Sequence, residues 1–583
     1  MSASLLKALE SVKTNRGIDN GSALHCALCC GFTPLHLQTF FHAALCGLLK
    51  KRRILLRQGM YGDLLGSLLK LLSEDVSVEF SVVAMEWEDF DPRLGLRSFA
   101  GWSTANHDDI LDSVRAKVAL FSDCLDRLTA KTNVVISLPS TPFLPLHYSA
   151  RRRSSCWEGS LKREISLLPE HLLPLKNFRL LNHELLSSNS AYVSRYSAES
   201  HLAYGFPYSL DYAEVLAREL ALLALSPQPL KGVVVDLDET LWKGILGEDG
   251  IAGVSWDLDH NSHIHGVFQS FLQSLSGAGV LVAVASKNDP SLVEELFSKR
   301  NMLLRRDSIF PLFAGWGRKS ASIRKILEAW NIGADAIVFV DDSALEVEEV
   351  RTELPEVRSF LFPSGKPDAV LDLISTLRDL FGKDSITAED SIRLRSLMQR
   401  EEIAIVSASG GDGYEELLRC NQPDVTLRLV PCEGDSRAFE LLNKTNQFNM
   451  NGVRCTETEW RALCERKNGF VVVASYEDRF GPLGKIAVIA GFLDGARATL
   501  SHWVMSCRAF GRRIEHLMLG YLFEKYLITD ICLEYAPTER NAPFRDFAME
   551  FGAVMKEEGM VIDRVSFSSR CPALYHDIRE TFE

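Results

Sequence analysis

The chain has 583 residues, 46% of them hydrophobic, which is enough apolar material for several cores and predicts several domains. Its formal net charge of −13 argues against a nucleic-acid partner, because binding to the phosphate backbone depends on clustered Lys and Arg. No stretch reaches the roughly 18 apolar residues of a membrane span, so we expect a cytoplasmic protein that has no membrane contact and keeps its cysteines reduced.

Residues 1–225 alternate strand-like and helix-like runs, beginning with the apolar segment Leu24–Cys30 and the helical segment Pro34–Leu49. This alternation predicts a doubly wound α/β domain. Three cysteines lie in the first apolar segment, but no second Cys or His pair follows at a zinc-binding spacing. We therefore predict a buried strand there and not a zinc site.

Two carboxylates follow directly on a later apolar run, Val233–Val235. Asp236 and Asp238 lie two residues apart, so both can face one site at the end of a buried strand, with Thr240 close behind. Carboxylates held this close repel each other unless a cation lies between them, and Mg²⁺ is the hard cation that such ligands prefer. A solvated acidic turn is the competing interpretation of this pattern taken alone.

Two more apolar runs, Val280–Ala285 and Ala336–Val340, each end in a polar loop, and an amphipathic helix is predicted after Lys319. Strands and helices in this alternating order build a parallel sheet whose loops gather at its carboxyl edge. Only about 40 residues separate Thr240 from Val280, which leaves no room for a separate cap domain and predicts an open pocket.

The polar residues of these loops are those that a phosphate-handling site requires. Ser286 can donate to a phosphoryl oxygen, Lys319 can neutralise it, and Asp342, which follows Asp341, can complete the metal shell. Each residue also has an ordinary interpretation, as a helix cap, a surface lysine or a turn. Their joint order on loops of one predicted sheet favours the site.

These residues form four motifs that resemble those of the haloacid dehalogenase (HAD) superfamily of phosphotransferases, namely Asp236/Asp238, Ser286, Lys319 and Asp341/Asp342. The resemblance implies that Asp236 is the nucleophile and Asp238 the general acid/base. It implies that Mg²⁺ is held by the Asp236 side chain, the Asp238 carbonyl and Asp342, while Asp341 orients Lys319. Ser286 and Lys319 are then catalytic as well. Thr240 and Asn288 are expected to bind substrate.

A closer resemblance is to the FkbH-like family, carried by LWKGILGEDG, SKND, FVDD, NKTNQFN, DRFG and SCRAFGR. It covers residues 231–583 well and implies an HAD-like domain over 226–383 followed by a GNAT-like acyltransferase domain over 384–583. Glu239 and Ser343 depart from it, since Asn is more familiar at both positions. Thr387-Ala-Glu-Asp390 predicts a helix start near the boundary between the two domains.

Residues 1–225 look like the SGNH-hydrolase-like domain that precedes the HAD part in some FkbH-like proteins. The loop after the first strand carries Cys30-Gly31-Phe32-Thr33, however, and lacks a Gly-Asp-Ser nucleophile. We therefore expect a docking module without hydrolase activity, and Cys30 as a nucleophile is the alternative.

The C-terminal part contains a predicted strand ending at Cys507, a glycine-containing turn and a helix from Arg513 to Tyr526. This order resembles the acyl-CoA loop of GNAT-type N-acetyltransferases. The helix start with Arg508, Arg512 and Arg513 predicts an anion site for a pantetheine or acyl phosphate, and solvated arginines are the competing interpretation. Positive charge lowers a thiol pKa, and the SCR motif implies an acyl-thioester role for Cys507. Asn446 is expected in the acyl pocket.

The resemblance implies a bifunctional glyceryltransferase/phosphatase of polyketide or related secondary metabolism. The enzyme would take 1,3-bisphosphoglycerate, a phosphorylated three-carbon substrate, remove phosphate and load glyceryl onto the phosphopantetheine arm of an acyl carrier protein. The first alternative is a Mg²⁺-dependent phosphatase of a phosphoprotein or phosphometabolite whose C-terminal domain only binds. The second is a non-catalytic assembly module whose acidic motifs merely bind Mg²⁺.

Overall fold

The computed structural model describes the chain except for residues 1, 19–22, 61, 74–77, 99–102, 145–151, 226–227, 384–385, 388–389, 391, 400–414, 416–417, 420–422, 430–434, 446–447, 479–480, 507–508, 539–540, 557–558 and 583. The chain divides into two compact units, Met1–Gln228 and Pro229–Glu583. The first unit contains one sheet, and the second unit contains two. Among the described residues, no helix has the length and apolar character needed to cross a bilayer.

The first unit is built on five parallel strands. They are β1 (Leu24–Cys30), β2 (Ile54–Gln58), β3 (Phe80–Ala84), β4 (Asn133–Ser137) and β5 (Phe178–Leu180). Their order is β2-β1-β3-β4-β5, so the chain reverses its direction of travel across the sheet between β1 and β3. The helices are Ala3–Arg16, Leu35–Leu48, Leu64–Ser73, Trp87–Phe90, His107–Thr129, Cys156–Ser166, His183–Asn189, Ala198–Tyr204 and Leu210–Leu225.

Strand β1 shows why the sequence folds into layers. Cys26, Leu28 and Cys30 belong to one apolar core, and Cys29 belongs to the core on the opposite face of the sheet. Both faces are covered, so β1 reads as a continuous apolar run. The doubly wound prediction and the buried-strand prediction for this segment are thereby confirmed.

The second sheet holds the predicted phosphate motifs. Its strands are β6 (Gly232–Val235), β7 (Leu281–Ser286), β8 (Ile309–Ala314), β9 (Ile337–Asp341) and β10 (Arg358–Leu361), parallel and in the order β10-β9-β6-β7-β8. The helices are Leu246–Gly253, His263–Gly277, Pro290–Lys299, Lys319–Trp330, Ala344–Glu353 and Pro367–Phe381. Between β6 and the helix that begins at His263 there are only two isolated bridges, Asp238 with Trp242 and Lys243 with Ser255, and one short helix. This confirms that no separate cap domain is inserted there.

The third sheet is mixed. Its strands are β11 (Asp424–Leu429), β12 (Phe448–Asn449), β13 (Gly469–Asp478), β14 (Gly481–Asp494), β15 (Arg497–Met505), β16 (Asp530–Leu533), β17 (Val554–Lys556), β18 (Gly559–Asp563) and β19 (Asp577–Phe582). They follow the order β17-β18-β16-β15-β14-β13-β11-β19, with β12 paired to β15. The helices are Ser436–Lys444, Glu457–Glu465, Ile514–Lys525, Ala542–Glu550 and Arg564–Arg570.

A helix over 392–399 leads from the second sheet region towards the third. Thr387 and Asp390 form its predicted reciprocal cap, since the Thr387 amide donates to the Asp390 carboxylate at 3.0 Å and the Asp390 amide donates to the Thr387 hydroxyl at 3.3 Å. The capping-box prediction is confirmed.

Candidate active site

The carboxyl ends of β6 and β9 bring three carboxylates together. The two strands pair in parallel, with Val235 opposite Val340, so that Asp236 and Asp341 come next on adjacent strands. One carboxylate oxygen from each of Asp236, Asp341 and Asp342 lies within 4.8 Å of the other two. The structure therefore places the Asp236 and Asp342 carboxylates close together, as the sequence predicts.

The three charges repel one another. Burial, together with the neighbouring carboxylates of Asp236 and Asp341, raises the pKa of Asp342 to about 6. Burial also raises the pKa of Asp341, in spite of the opposing effect of Lys319. Three carboxylate oxygens this close to one another fit a divalent cation such as Mg²⁺, which would relieve the repulsion.

Lys319, the first residue of its helix, is almost fully buried beside these carboxylates. Its ammonium donates to Asp236 Oδ1 at 2.5 Å and to the Ala285 carbonyl at 2.8 Å, and lies 3.0 Å from Asp341 Oδ2. Burial lowers the pKa of Lys319, but the carboxylates of Asp236 and Asp341 outweigh burial and hold the pKa above its ordinary value. Lys319 is therefore a permanent cation in contact with both acidic loops.

The Asp238 carboxylate is held by three N–H groups. The Trp242 indole donates to it at 2.8 Å, the Leu246 amide at 3.0 Å and the Asn288 side-chain amide at 2.9 Å. The Asn288 amide also donates to Ser286 Oγ at 3.2 Å. Asn288, expected to bind substrate, thus commits both amide hydrogens to joining Asp238 and Ser286. Trp242 was missed as a site residue, although it belongs to the LWKG motif.

The turn after Asp238 explains one departure from the family pattern. Glu239 has φ +52°, a left-handed conformation that Asn adopts more readily than Glu. Its carboxylate accepts hydrogen bonds from the Gly244 amide at 2.7 Å and the Ser364 hydroxyl at 2.8 Å. These bonds hold the turn in place of the local hydrogen bonds of an Asn.

Thr240 is fully buried in the same turn, and its backbone carbonyl lies 3.0 Å from Nδ1 of His265. Its hydroxyl has no hydrogen-bond partner within the described part of the chain. A buried unsatisfied hydroxyl costs about 1–3 kcal/mol, so a ligand oxygen that accepts from it would be favoured.

Only part of the predicted C-terminal site lies within the described residues. Cys507, Arg508 and Asn446 lie outside the described residues. Arg512 is described, and it is not on the surface of the helix start as expected. Its guanidinium is fully buried, 3.6 Å from the Asp478 carboxylate and 5.3 Å from the centre of the Tyr476 ring.

Arg513, the next basic residue, is also compensated within the fold. It caps the helix Ile514–Lys525 with φ +56°, forms an ion pair with Glu415 and donates to the Ala573 carbonyl at 2.7 Å. Two of the three arginines of the predicted anion site therefore already have a carboxylate beside them. The sequence around these arginines does not indicate Asp478 or Glu415, because both acids lie at least 30 residues away along the chain.

Strand β12 pairs with the last two residues of β15. The pairing of β15 with β16 ends at Leu500, and beyond it Val504 and Met505 pair with Asn449 and Phe448 of β12. Phe448 and Met505 thus lie opposite each other on neighbouring strands. His516, on the helix Ile514–Lys525, packs its ring against Phe547 and Phe551.

No protein-family model matches this chain, and no curated protein sequence matches it significantly. Among solved structures, the chain is similar to the N-terminal part of a Bacteroides fragilis protein, which contains a phosphatase domain in complex with Mg. The two sequences are 20% identical, and the match covers 65% of this chain and 99% of that chain with a TM-score of 0.51. At this identity the likeness concerns the fold alone.

Two further solved structures match with a TM-score of 0.17 each. One is a cAMP-binding acyltransferase from Mycobacterium smegmatis, at 18% identity over 28% of this chain and 56% of that chain. The other is a GCN5-related glucosamine N-acetyltransferase region of a fungal multi-domain β-N-acetylglucosaminidase, at 10% identity over 95% of this chain and 67% of that chain. At this TM-score they support no inference about the third sheet.

Proposed function

We propose that this chain is a Mg²⁺-dependent HAD-type phosphatase combined with an acyl (glyceryl) transferase, as in the FkbH-like family. The observation that carries the phosphatase half is the meeting of Asp236, Asp341 and Asp342 within 4.8 Å at the carboxyl edge of a parallel sheet. The buried Lys319 beside them supports it. A fold shared with a fragment that contains a phosphatase domain in complex with Mg adds to that support.

The carboxylates of Asp236 and Asp342 and the carbonyl of Asp238 would hold the Mg²⁺, which supplies stabilisation of charge on the phosphoryl oxygens when bound. One oxygen of Asp236 attacks phosphorus, and the bond from phosphorus to the leaving oxygen breaks. Asp238 gives that oxygen a proton. Water then attacks the aspartyl phosphate, Asp238 takes back a proton, and inorganic phosphate leaves.

Lys319 and Ser286 have roles that follow from their contacts. Lys319 donates a hydrogen bond to Asp236, and it provides a positive charge to the entering phosphoryl group. Ser286 ends β7 close to the Asn288 amide, so its hydroxyl hydrogen is available to a phosphoryl oxygen. Ser286 and Lys319 thereby place one neutral donor and one cation around the same group.

In the acyl half, the Cys507 thiolate would attack the acyl phosphate carbon of 1,3-bisphosphoglycerate. The bond from that carbon to the phosphate oxygen breaks, inorganic phosphate leaves, and a thioester forms. The remaining phosphate is removed at Asp236, and the carrier-protein thiol displaces Cys507 from the glyceryl group. Both transfers to a thiol start from an activated acyl group, and the phosphate monoester is hydrolysed by water, so no ATP is needed.

A second candidate is a phosphatase whose third-sheet region only binds a ligand. The compensation of Arg512 by Asp478 and of Arg513 by Glu415 favours it, because it leaves less free positive charge for an acyl or pantetheine phosphate. In this candidate the acyl group never becomes attached to Cys507.

The test is intact-mass spectrometry of a carrier protein incubated with this chain and 1,3-bisphosphoglycerate, together with phosphate release. We expect a glyceryl adduct with the unaltered chain. Cys507→Ala should lose the adduct while still releasing phosphate from a phosphate monoester, and Asp236→Asn should lose that release. Asp335→Asn and Cys156→Ala, at exposed positions, are the matched controls. An adduct that persists in Cys507→Ala refutes the thioester role of Cys507. Phosphate release without any adduct from the unaltered chain leaves the second candidate, and release that persists in Asp236→Asn excludes Asp236 as the nucleophile.

A further inference from the structure

The first unit contains a cavity that the proposed function does not use. Its volume is about 370 Å³, within the range of small-molecule sites. Residues after β1, such as Phe32, and after β3, such as Glu88, line it. It therefore lies where the strand order reverses between β1 and β3, the position at which open parallel sheets bind ligands.

The inner wall of the cavity is rich in carboxyl groups. Glu86, Glu88 and Asp89 all line it, and Asp63 adds a fourth acid against the two permanent cations Arg97 and Lys117. Glu86 is satisfied within the fold, because it accepts hydrogen bonds from Ser140, Thr141 and Tyr208. Glu88 and Asp89 remain as the acids whose charge a ligand would meet.

The two carboxylate oxygens of Glu88 differ in their contacts. Its Oε2 lies 3.1 Å from Nε2 of the buried His201, whose Nδ1 lies 2.8 Å from the Tyr196 hydroxyl. Its Oε1 is buried and has no hydrogen-bond partner among the described residues. Tyr196 and His201 therefore hold the carboxylate in one orientation, and one oxygen still requires a donor.

Two glycines keep this arrangement open. A Cβ atom at Gly95 would lie 1.5 Å from Glu88 Oε1, and one at Gly31 would lie 1.7 Å from Asp89 Oδ1. Any side chain at either position would displace the carboxylate it touches. The backbone thus provides the space in which both acids lie against the wall.

Aromatic rings form much of the remaining wall, namely those of Phe32, Trp87, Phe121 and Tyr196. Carboxylates and aromatic faces attract the same kind of ligand, an organic cation. Lys117 already shows the attraction, since its ammonium lies 5.9 Å from the centre of the Phe121 ring. Burial, together with the neighbouring carboxylates of Glu86 and Glu88, raises the pKa of Asp89 to about 7, so a cation would relieve charge there.

We propose that this cavity binds a small organic amine as its ammonium ion, with Glu88 as the principal contact and His201 as a positioning residue. An amine supplies the donor that Glu88 Oε1 lacks, and its apolar body fits the aromatic wall. A neutral alcohol of the same shape supplies the hydrogen bond but not the charge. The proposal does not depend on the chemistry of the second sheet.

The test is calorimetric titration of the full chain with phenethylamine and with 2-phenylethanol. We expect the amine to bind at least about tenfold more tightly than the alcohol, a difference of ~1.4 kcal/mol. Glu88→Gln should weaken amine binding by about tenfold or more, with the exposed Glu170→Gln as matched control. Equal binding of amine and alcohol, or no amine binding below about 10 mM, would overturn the proposal.

A second variant should bind the amine more tightly, and misfolding cannot produce that result. Lys117→Met removes the cation that competes for the same wall, so phenethylamine should bind this variant about threefold or more tightly than the unaltered chain. Weaker amine binding in Lys117→Met would contradict the proposal, because Lys117 would then assist the ligand.

Discussion

Asp342→Asn should change stability in opposite directions with and without magnesium. The pKa of Asp342 rises from 3.8 to about 6 on folding, through burial and then through Asp236 and Asp341. The native state therefore binds a proton more tightly than the unfolded chain. Stability falls as pH rises from about 4 to about 6, and the full penalty applies above that window.

The size of the penalty follows from the shift. A shift of about two pKa units corresponds to ~3 kcal/mol, and partial solvation of Asp342 reduces this to about 1–3 kcal/mol. In EDTA at pH 7.5, Asp342→Asn should therefore raise the stability of the second unit by about that amount. At pH 4.5 the difference should shrink, because Asp342 is then protonated in the native state.

Magnesium should reverse the order. A cation present at about 100 times its Kd stabilises the unaltered chain by ~2.7 kcal/mol, whereas Asp342→Asn lacks one of the ligands and gains less. Thermal denaturation in EDTA and in Mg²⁺, at both pH values, measures all four quantities, and Asp335→Asn is the exposed control. An Asp342→Asn variant that is less stable than the unaltered chain in EDTA at pH 7.5 would refute the reasoning.

Three further outcomes are expected. Asn288→Ala should lower kcat by about tenfold to a hundredfold with little change in KM, because Asp238 and Ser286 lose the amide that joins them; an unchanged kcat would contradict this. Arg512→Met should destabilise the fold by ~3–5 kcal/mol in urea titrations, because Asp478 loses its buried cation, whereas a purely substrate-binding Arg512 predicts intact stability. The apparent affinity for Mg²⁺, measured by calorimetry, should fall as pH drops below about 6, where a proton competes for Asp342, and a pH-independent affinity would argue against this ligand.

Much of the site could be predicted because parallel strands place their following loops at one edge. Asp236, Ser286 and Asp342 needed only their order relative to apolar runs to be assigned to one site. Strands β8 and β10 were not predicted, since they lie at the two edges of the sheet. The residues of β10 are only partly covered, so no apolar run marks that strand, and β8 contains a proline.

The sequence pattern could not predict contacts between side chains that are distant along the chain. Arg512 looks like a surface cation in the sequence, and only the fold shows Asp478 beside it. In the same way, Glu88 and His201 are 113 residues apart, and nothing in either local segment links them. The SGNH-like and GNAT-like assignments and the bounds of the three domains stay predictions.

The position of Lys319 has a consequence for how the second sheet responds to its ligands. Its single ammonium touches a residue of the β6 loop, the β7 backbone and the last residue of β9. One charged group therefore ties three neighbouring strand ends together before any ligand arrives. The edge should already be preorganised in the metal-free protein, so that crystal structures with and without magnesium would superpose there.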